Sequence, residues 1–188
     1  MDFFHVDRQK QLKIGTLCNL DDVYSNMRIL LPNTLYSKDD VIHTIENLFP
    51  DGLSKHGRQY LLEQDLIISD QIGNPMPLAP HMPMIELIFE LVRRSEFPDQ
   101  MSRFQSMFGC ESIEDARKFK EKFCGNQGQI CLVECKEYSR LDMSLLLLGK
   151  TSIGSVFYAR KYWSGEAGNT PEWEILMKPP IEVIRIIE

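Results

Sequence analysis

The sequence lacks the marks of a membrane protein, a metal protein or a disulfide scaffold. Its longest apolar runs, Leu145–Leu148 and Ile186–Ile187 with their neighbours, fall far short of the ~20 residues that span a bilayer. The opening Met1-Asp2-Phe3-Phe4-His5 has no basic start and no apolar stretch, so no secretory leader is expected. The five cysteines (Cys18, Cys110, Cys124, Cys131, Cys135) include no Cys-x-x-Cys pair, which speaks against a closed zinc site or a redox dithiol. They read as free thiols in a reducing cytoplasm, Cys110 and Cys131 packing as small apolar residues. Four histidines, at 5, 43, 56 and 81, form no i, i+4 pair, so no metal is expected. There is no Walker loop, no Gly-x-Gly-x-x-Gly after a strand, no Gly-x-Ser-x-Gly and no His-Glu-x-x-His. Repeats and low-complexity stretches are absent too.

What remains is ordinary soluble composition: 188 residues, 43% apolar and 26% charged. The length suits one domain over residues 1–188. A net charge of −6 argues against coating nucleic acid or anionic membrane by bulk charge. The balance is uneven, however. Residues 1–90 carry 7 basic and 13 acidic side chains, residues 91–163 carry 12 and 9, and residues 164–188 carry 2 and 5. The middle is locally basic.

Hydrophobic periodicity places the elements. Phe3–Val6 reads as a short strand. Residues 37–49 read as a helix capped by Ser37, with Asp39 and Asp40 at its positive end. A second helical piece lies around Gly57–Asp65. Residues 73–83 form a Pro-rich loop, and Pro83–Glu96 is the clearest helix, with Ile85, Ile88, Phe89 and Val92 on one face. Met101–Gly109 reads as extended, Ser112 as the cap of a helix to Phe123, and Gln129–Glu134 as a central strand. Residues 138–148 suggest a short helix and Ser155–Arg160 a strand. Glu174–Met177 and Ile181–Ile187 are late strands joined by Lys178-Pro179-Pro180. The order indicates an α+β fold with a helical insertion over about residues 20–95.

Three pieces stand out together: His5 in the first strand, Ser102-Arg103-Phe104-Gln105-Ser106-Met107-Phe108-Gly109, and Glu172-Trp173-Glu174-Ile175-Leu176-Met177. Taken singly, each reads equally as structure: a packed histidine, a strand with one polar face, a solvated acidic edge. "FFHVDRQKQLKIGTL" resembles the opening of ADP-ribosyltransferases, in particular the small type that modifies rifamycins, although Leu12–Leu17 departs from the Leu-x-x-Gly-x-x-Leu spacing by one residue. "MFGCESIEDARKF" and "GQICLVE" resemble the middle block. "EWEILMKPPIEVIRI" resembles the closing block of toxin-like members. The chain is also similar to a bacterial family of uncharacterised activity that shares the histidine and "SRFQSMF". The resemblance covers the first ~17 residues and about 100–188, and leaves the insertion unmatched.

The resemblance implies an ADP-ribosyltransferase-like split sheet, mixed or antiparallel, around an NAD cleft. It assigns Glu174 as catalytic carboxylate, Glu172 as auxiliary carboxylate and His5 as a ribose contact. Ser106 and Phe108 would line the NAD pocket, Arg103 would face the pyrophosphate, and Arg8 and Tyr158 (with Tyr162) compete for further contacts. The chemistry fits those residue types. The bond from nicotinamide to ribose breaks through an oxocarbenium-like state, which a carboxylate stabilises. An imidazole holds hydroxyls and an aromatic stacks on the leaving ring.

The expected protein is therefore an intracellular NAD-dependent mono-ADP-ribosyltransferase, a toxin or defence effector with a macromolecular acceptor. RNA or DNA is slightly favoured over protein, and an antitoxin partner is possible for such a system. Tyr158–Trp163, aromatics interleaved with cations, reads either as a strand end packed inward or as an acceptor contact, the first weighing more. The rival readings are modification of a small molecule such as an antibiotic, and a non-catalytic relative that binds a partner.

Overall fold

The computed structural model describes residues 1–22, 35–63, 67–69, 75–77 and 81–188. Its architecture is α+β, with antiparallel sheets and five helices. The first sheet has four strands in the order β1 (Asp2–Asp7), β6 (Gln129–Glu134), β9 (Ile181–Ile186), β2 (Leu17–Cys18). The second has three, in the order β5 (Met107–Gly109), β8 (Trp173–Met177), β7 (Tyr138–Asp142). A small hairpin pairs β3 (Ile67–Ser69) with β4 (Pro75–Pro77). Of the expected Pro-rich loop at residues 73–83, 75–77 form β4 through pairing with β3 and 81–83 already belong to the helix that ends at Glu96, while 73, 74 and 78–80 lie outside the described residues.

Two connections hold the main sheets together. Phe4 and Cys110 exchange backbone hydrogen bonds of 3.0 and 2.8 Å, so β1 touches the end of β5. Strands β8 and β9 follow each other through a turn with a cis Pro179–Pro180 bond, one in each sheet. Alternation along β1 then sorts the side chains. Phe3 packs with Ile175, Met177 and Val183 between the sheets, while Phe4 and Val6 pack with Ala116 and Ile130 under α4 (Ile113–Cys124). His5 therefore shares the face of Phe3, towards the second sheet.

The helices are capped as the sequence predicts. Ser37 opens α1 (Lys38–Leu48) with a capping box through Asp40, and Ser112 opens α4 while Gly125 closes it in the left-handed conformation. Helix α3 (His81–Glu96) lies on the outer face of the second sheet beside α5 (Ser152–Trp163). Phe89, Tyr162, Trp163 and Leu176 are fully buried between them.

Two expected elements exchange identity. Ser155–Arg160 lies within helix α5, not a strand. Val156, Ala159 and Trp163 fall at helical spacing and pack in the core shared with α3, which overrides local propensity. Residues 138–148 begin as β7, paired with β8 along its length, followed by a single tight turn at Met143–Leu145. The leucine run that suggested a helix is irregular because Asp142 turns inward and caps that tight turn. The Met101–Gly109 segment, expected to be extended, contains a tight turn at Arg103–Gln105 before β5.

The segment expected as an insertion holds α1, α2 (Lys55–Arg58), a wide turn at Gln59–Glu63, the small hairpin and α3. Helix α2 is pressed on the 102–106 segment. Ser54 donates from both its backbone nitrogen (2.8 Å) and its hydroxyl (3.0 Å) to the carbonyl of Phe104. At Gly57 a side chain would meet that same carbonyl oxygen at 2.2 Å, so only glycine allows the approach. Gly57→Ala is expected to lower the unfolding free energy by about 2–4 kcal/mol, read by urea titration, because backbone on both sides must shift.

Candidate functional site

Where α3, α5 and the second sheet meet, a group of charges is enclosed. Glu86 comes from α3, Tyr162 from α5, Arg103 from the turn before β5, and Glu174 from β8. All four are buried, at 1%, 0%, 4% and 7% exposure respectively. The alternation of β8 explains why Glu174 is there. Ile175 and Met177 point to the inter-sheet core, so Glu174 and Leu176 point to the helices.

Arg103 is the hub. Its Nε donates to Glu86 Oε2 (2.8 Å) and its Nη2 to Glu86 Oε1 (3.0 Å), a two-point clasp. Its Nη1 donates to Glu174 Oε1 (2.5 Å) and to the Tyr162 hydroxyl (2.5 Å). Tyr162 in turn donates to Glu174 Oε1 (2.9 Å). Burial alone would weaken the charge on Arg103, but Glu174 and Glu86 hold its pKa well above the usual value. Burial would raise Glu86, yet Arg103 and His56 bring it down to about 2. Burial, with Glu174 beside it, lifts the Tyr162 hydroxyl well above the ordinary phenol range, so it stays protonated and can donate.

Phe108 links this cluster to the first sheet. The Arg103 guanidinium lies 4.7 Å from its ring centre, and the His56 ring 4.6 Å. The His56 ring also lies against Tyr60 (4.5 Å, tilted by 46°) and places Nε2 at 3.2 Å from Glu86 Oε1. On the backbone side, His5 Nδ1 is 2.7 Å from the Phe108 carbonyl oxygen. A carbonyl only accepts, so Nδ1 carries the hydrogen and Nε2 keeps its lone pair. Burial lowers the pKa of His5 against the opposing pull of that bond, which keeps the ring neutral.

The residues singled out in the sequence separate into two groups. Glu174, Arg103 and Phe108 come together, and His5 joins them through Phe108. Among the described residues no hydrogen bond or ion pair joins His5 directly to Glu174. Ser106 is buried beside them, but its hydroxyl donates to the Ser102 carbonyl (2.7 Å). Glu172 lies at the surface in an ion pair with Lys122. Tyr158 shares the α5 face with Tyr162, one turn earlier, its ring beside Gly149. Arg8 is exposed, its guanidinium 5.6 Å from the Phe119 ring. The donors of Arg103 that would meet a pyrophosphate are turned to carboxylates.

The segment Tyr158–Trp163 is the end of a helix, not the expected strand end, and its last two aromatics pack inward. Tyr162 and Trp163 are buried, Trp163 Nε1 donates to the Phe89 carbonyl (2.8 Å), and Arg160 and Lys161 pair with Glu96 and Glu166. Arg93, Arg94, Arg117, Lys118, Lys122 and Arg140 are likewise in ion pairs, so most of the local basic charge is balanced. Among the described residues no group of three His, Cys, Asp or Glu is placed to hold a metal, and no helix is long and apolar enough to cross a membrane. An apolar groove on α1, lined by Val41, Ile45, Leu48 and Phe49, shares no residue with the charged cluster.

Sequence reasoning missed Glu86, His56 and Asp142. Glu86 sits among the apolar positions of α3, a charge on a stripe that must be buried, which was its one available signal. Asp142 is fully buried and fixes the loop before β8. It accepts from the backbone nitrogens of Ser144 (3.0 Å), Gly168 (2.7 Å) and Glu172 (2.8 Å). Burial would raise its pKa, but those donors hold it below the usual value.

Replacing Arg103 by Met would leave two buried carboxylates uncompensated, at an expected cost of about 3–5 kcal/mol at pH 7. The sign of the pH dependence should also invert. In the wild type the folded pKa of Glu86 is depressed, from 4.5 to about 2, so its contribution is present above pH 4.5 and lost as pH falls towards 2. In the variant burial raises that pKa, and stability should increase as pH falls towards 4.5. Denaturant titrations across pH measure both.

No curated protein matches the chain. A family model described as "Protein of unknown function (DUF2441)" matches residues 3–188. The chain, site residues included, belongs to the DUF2441 family.

Proposed function

We propose that the chain is an NAD-dependent ADP-ribosyltransferase with Glu174 as its catalytic carboxylate. One observation carries this reading. Three sequence pieces far apart in the chain, around His5, Arg103–Phe108 and Glu174, converge on one buried charged cluster, and the resemblance drew on those same pieces. The antiparallel two-sheet arrangement, joined by the Phe4–Cys110 bridge and by β8 and β9, agrees with the split sheet expected of that class.

In this reaction the bond between ribose C1′ and the nicotinamide nitrogen breaks, and its electron pair leaves with nicotinamide. A nucleophile bonds C1′ and loses its proton. Among the described residues both side-chain hydrogen bonds of Glu174 fall on Oε1, so Oε2 is the oxygen that would meet a ribose hydroxyl and stabilise charge developing on the sugar. Arg103 and Tyr162 fix the direction of that carboxylate. His5, neutral with its lone pair on Nε2, would accept a hydroxyl hydrogen bond. Glu172, at the surface, would meet an acceptor rather than NAD. The acceptor is a macromolecule in this proposal, and the balanced cations of Tyr158–Trp163 give no reason to prefer nucleic acid over protein.

A second reading is favoured by the full commitment of Arg103 to two carboxylates. In it the cluster only fastens α3 to the sheets, and the protein binds a partner without catalysis. Labelled NAD separates the two. The catalytic reading expects nicotinamide release by the wild type and a loss of roughly 1000-fold in Glu174→Gln at an unchanged melting transition. Absence of both release and any NAD-dependent thermal shift in the wild type would overturn the catalytic reading and leave the second.

A further inference from the structure

We propose that Glu86 is a positioning residue that keeps one oxygen of Glu174 free by occupying the two-donor edge of Arg103. This rests on the reading of Glu174 as the catalytic carboxylate. A guanidinium beside one buried carboxylate tends to bind both of its oxygens, because the fork matches. In this cluster Glu86 takes the Nε–Nη2 edge at 2.8 and 3.0 Å. Only Nη1 reaches Glu174, and it falls on Oε1 together with Tyr162. Two acceptors therefore compete for one cation, and the competition sets what Glu174 has left to offer a substrate.

Glu86 is itself held in place. His56 Nε2 stands 3.2 Å from Oε1, and the His56 ring lies against those of Tyr60 and Phe108, tilted by 46° and 56°. His56 rides on α2, which Ser54 and Gly57 press on the Phe104 carbonyl. The segment that lies outside the resemblance thus reaches the site twice, through His56 on α2 and Glu86 on α3.

The test is Glu86→Gln, close in shape but uncharged, assayed by nicotinamide release from labelled NAD with water as acceptor. With Glu86 neutral, Arg103 turns two donors to Glu174. The rate constant kcat is expected to fall roughly 100-fold while KM for NAD changes less than about threefold. Glu86→Asp keeps the charge and should recover at least about a tenth of wild-type kcat. A crystal structure of Glu86→Gln should place Arg103 on both oxygens of Glu174. Wild-type kcat in Glu86→Gln, equal losses in Gln and Asp variants, or Arg103 remaining on Oε1 alone would each overturn the proposal. If Glu86→Gln does not fold, Glu86→Met takes its place: a kcat roughly 100-fold lower at constant KM supports positioning, and an unchanged kcat refutes it. If the wild type releases no nicotinamide, the functional reading has failed, and the position of Arg103 in the variant crystal structure alone judges the contact.

Discussion

The structure depends on one cation almost wholly withdrawn from water. Arg103 is enclosed by α3, α5 and the second sheet, and a lone guanidinium in that setting would cost several kcal/mol. It is tolerated because Glu86 and Glu174 balance it and Tyr162 completes the hydrogen bonds. Each of the four comes from a different element, so the cluster is also a four-way fastening. Neighbouring Glu90 repeats the device on a smaller scale, binding Arg93, Arg94 and the Ser102 hydroxyl. The turn that carries Arg103 is thereby fixed from the residue before it.

Burial of this kind has two physical uses. An ion pair network with few alternatives specifies how helices dock on a sheet, since any slip leaves a charge without a partner. A carboxylate held in a low-dielectric setting with one oxygen anchored is also pre-organised for charge stabilisation. In the proposed catalytic reading, Phe108 and His5 beside the cluster belong to the second use.

Much of the frame was legible in advance. Ser37 and Ser112 cap the helices they were expected to cap, Gly125 ends one, and β6 is interior to its sheet because both its faces are apolar. The errors share a cause. Ser155–Arg160 and residues 138–148 have ambiguous local preferences, and their state was settled by partners distant in sequence: α3 for the first, β8 for the second. Within the site, Glu174 and Arg103 could be singled out because they lie in unusual short blocks. Their ion pair could not, because 71 residues separate them.

The sequence by itself determined which segments are helices with strong caps, which strands are buried on both faces, and that β8 must alternate Glu174 away from Ile175 and Met177. These are local consequences of side-chain period and turn chemistry. Only the tertiary structure decided what Glu174 faces. It turned Arg103 towards carboxylates, brought Glu86 and His56 from the unmatched segment into the cluster, and left Glu172 at the surface. The reason is that buried charge must be balanced wherever the packing places it, and that position follows from all the elements at once.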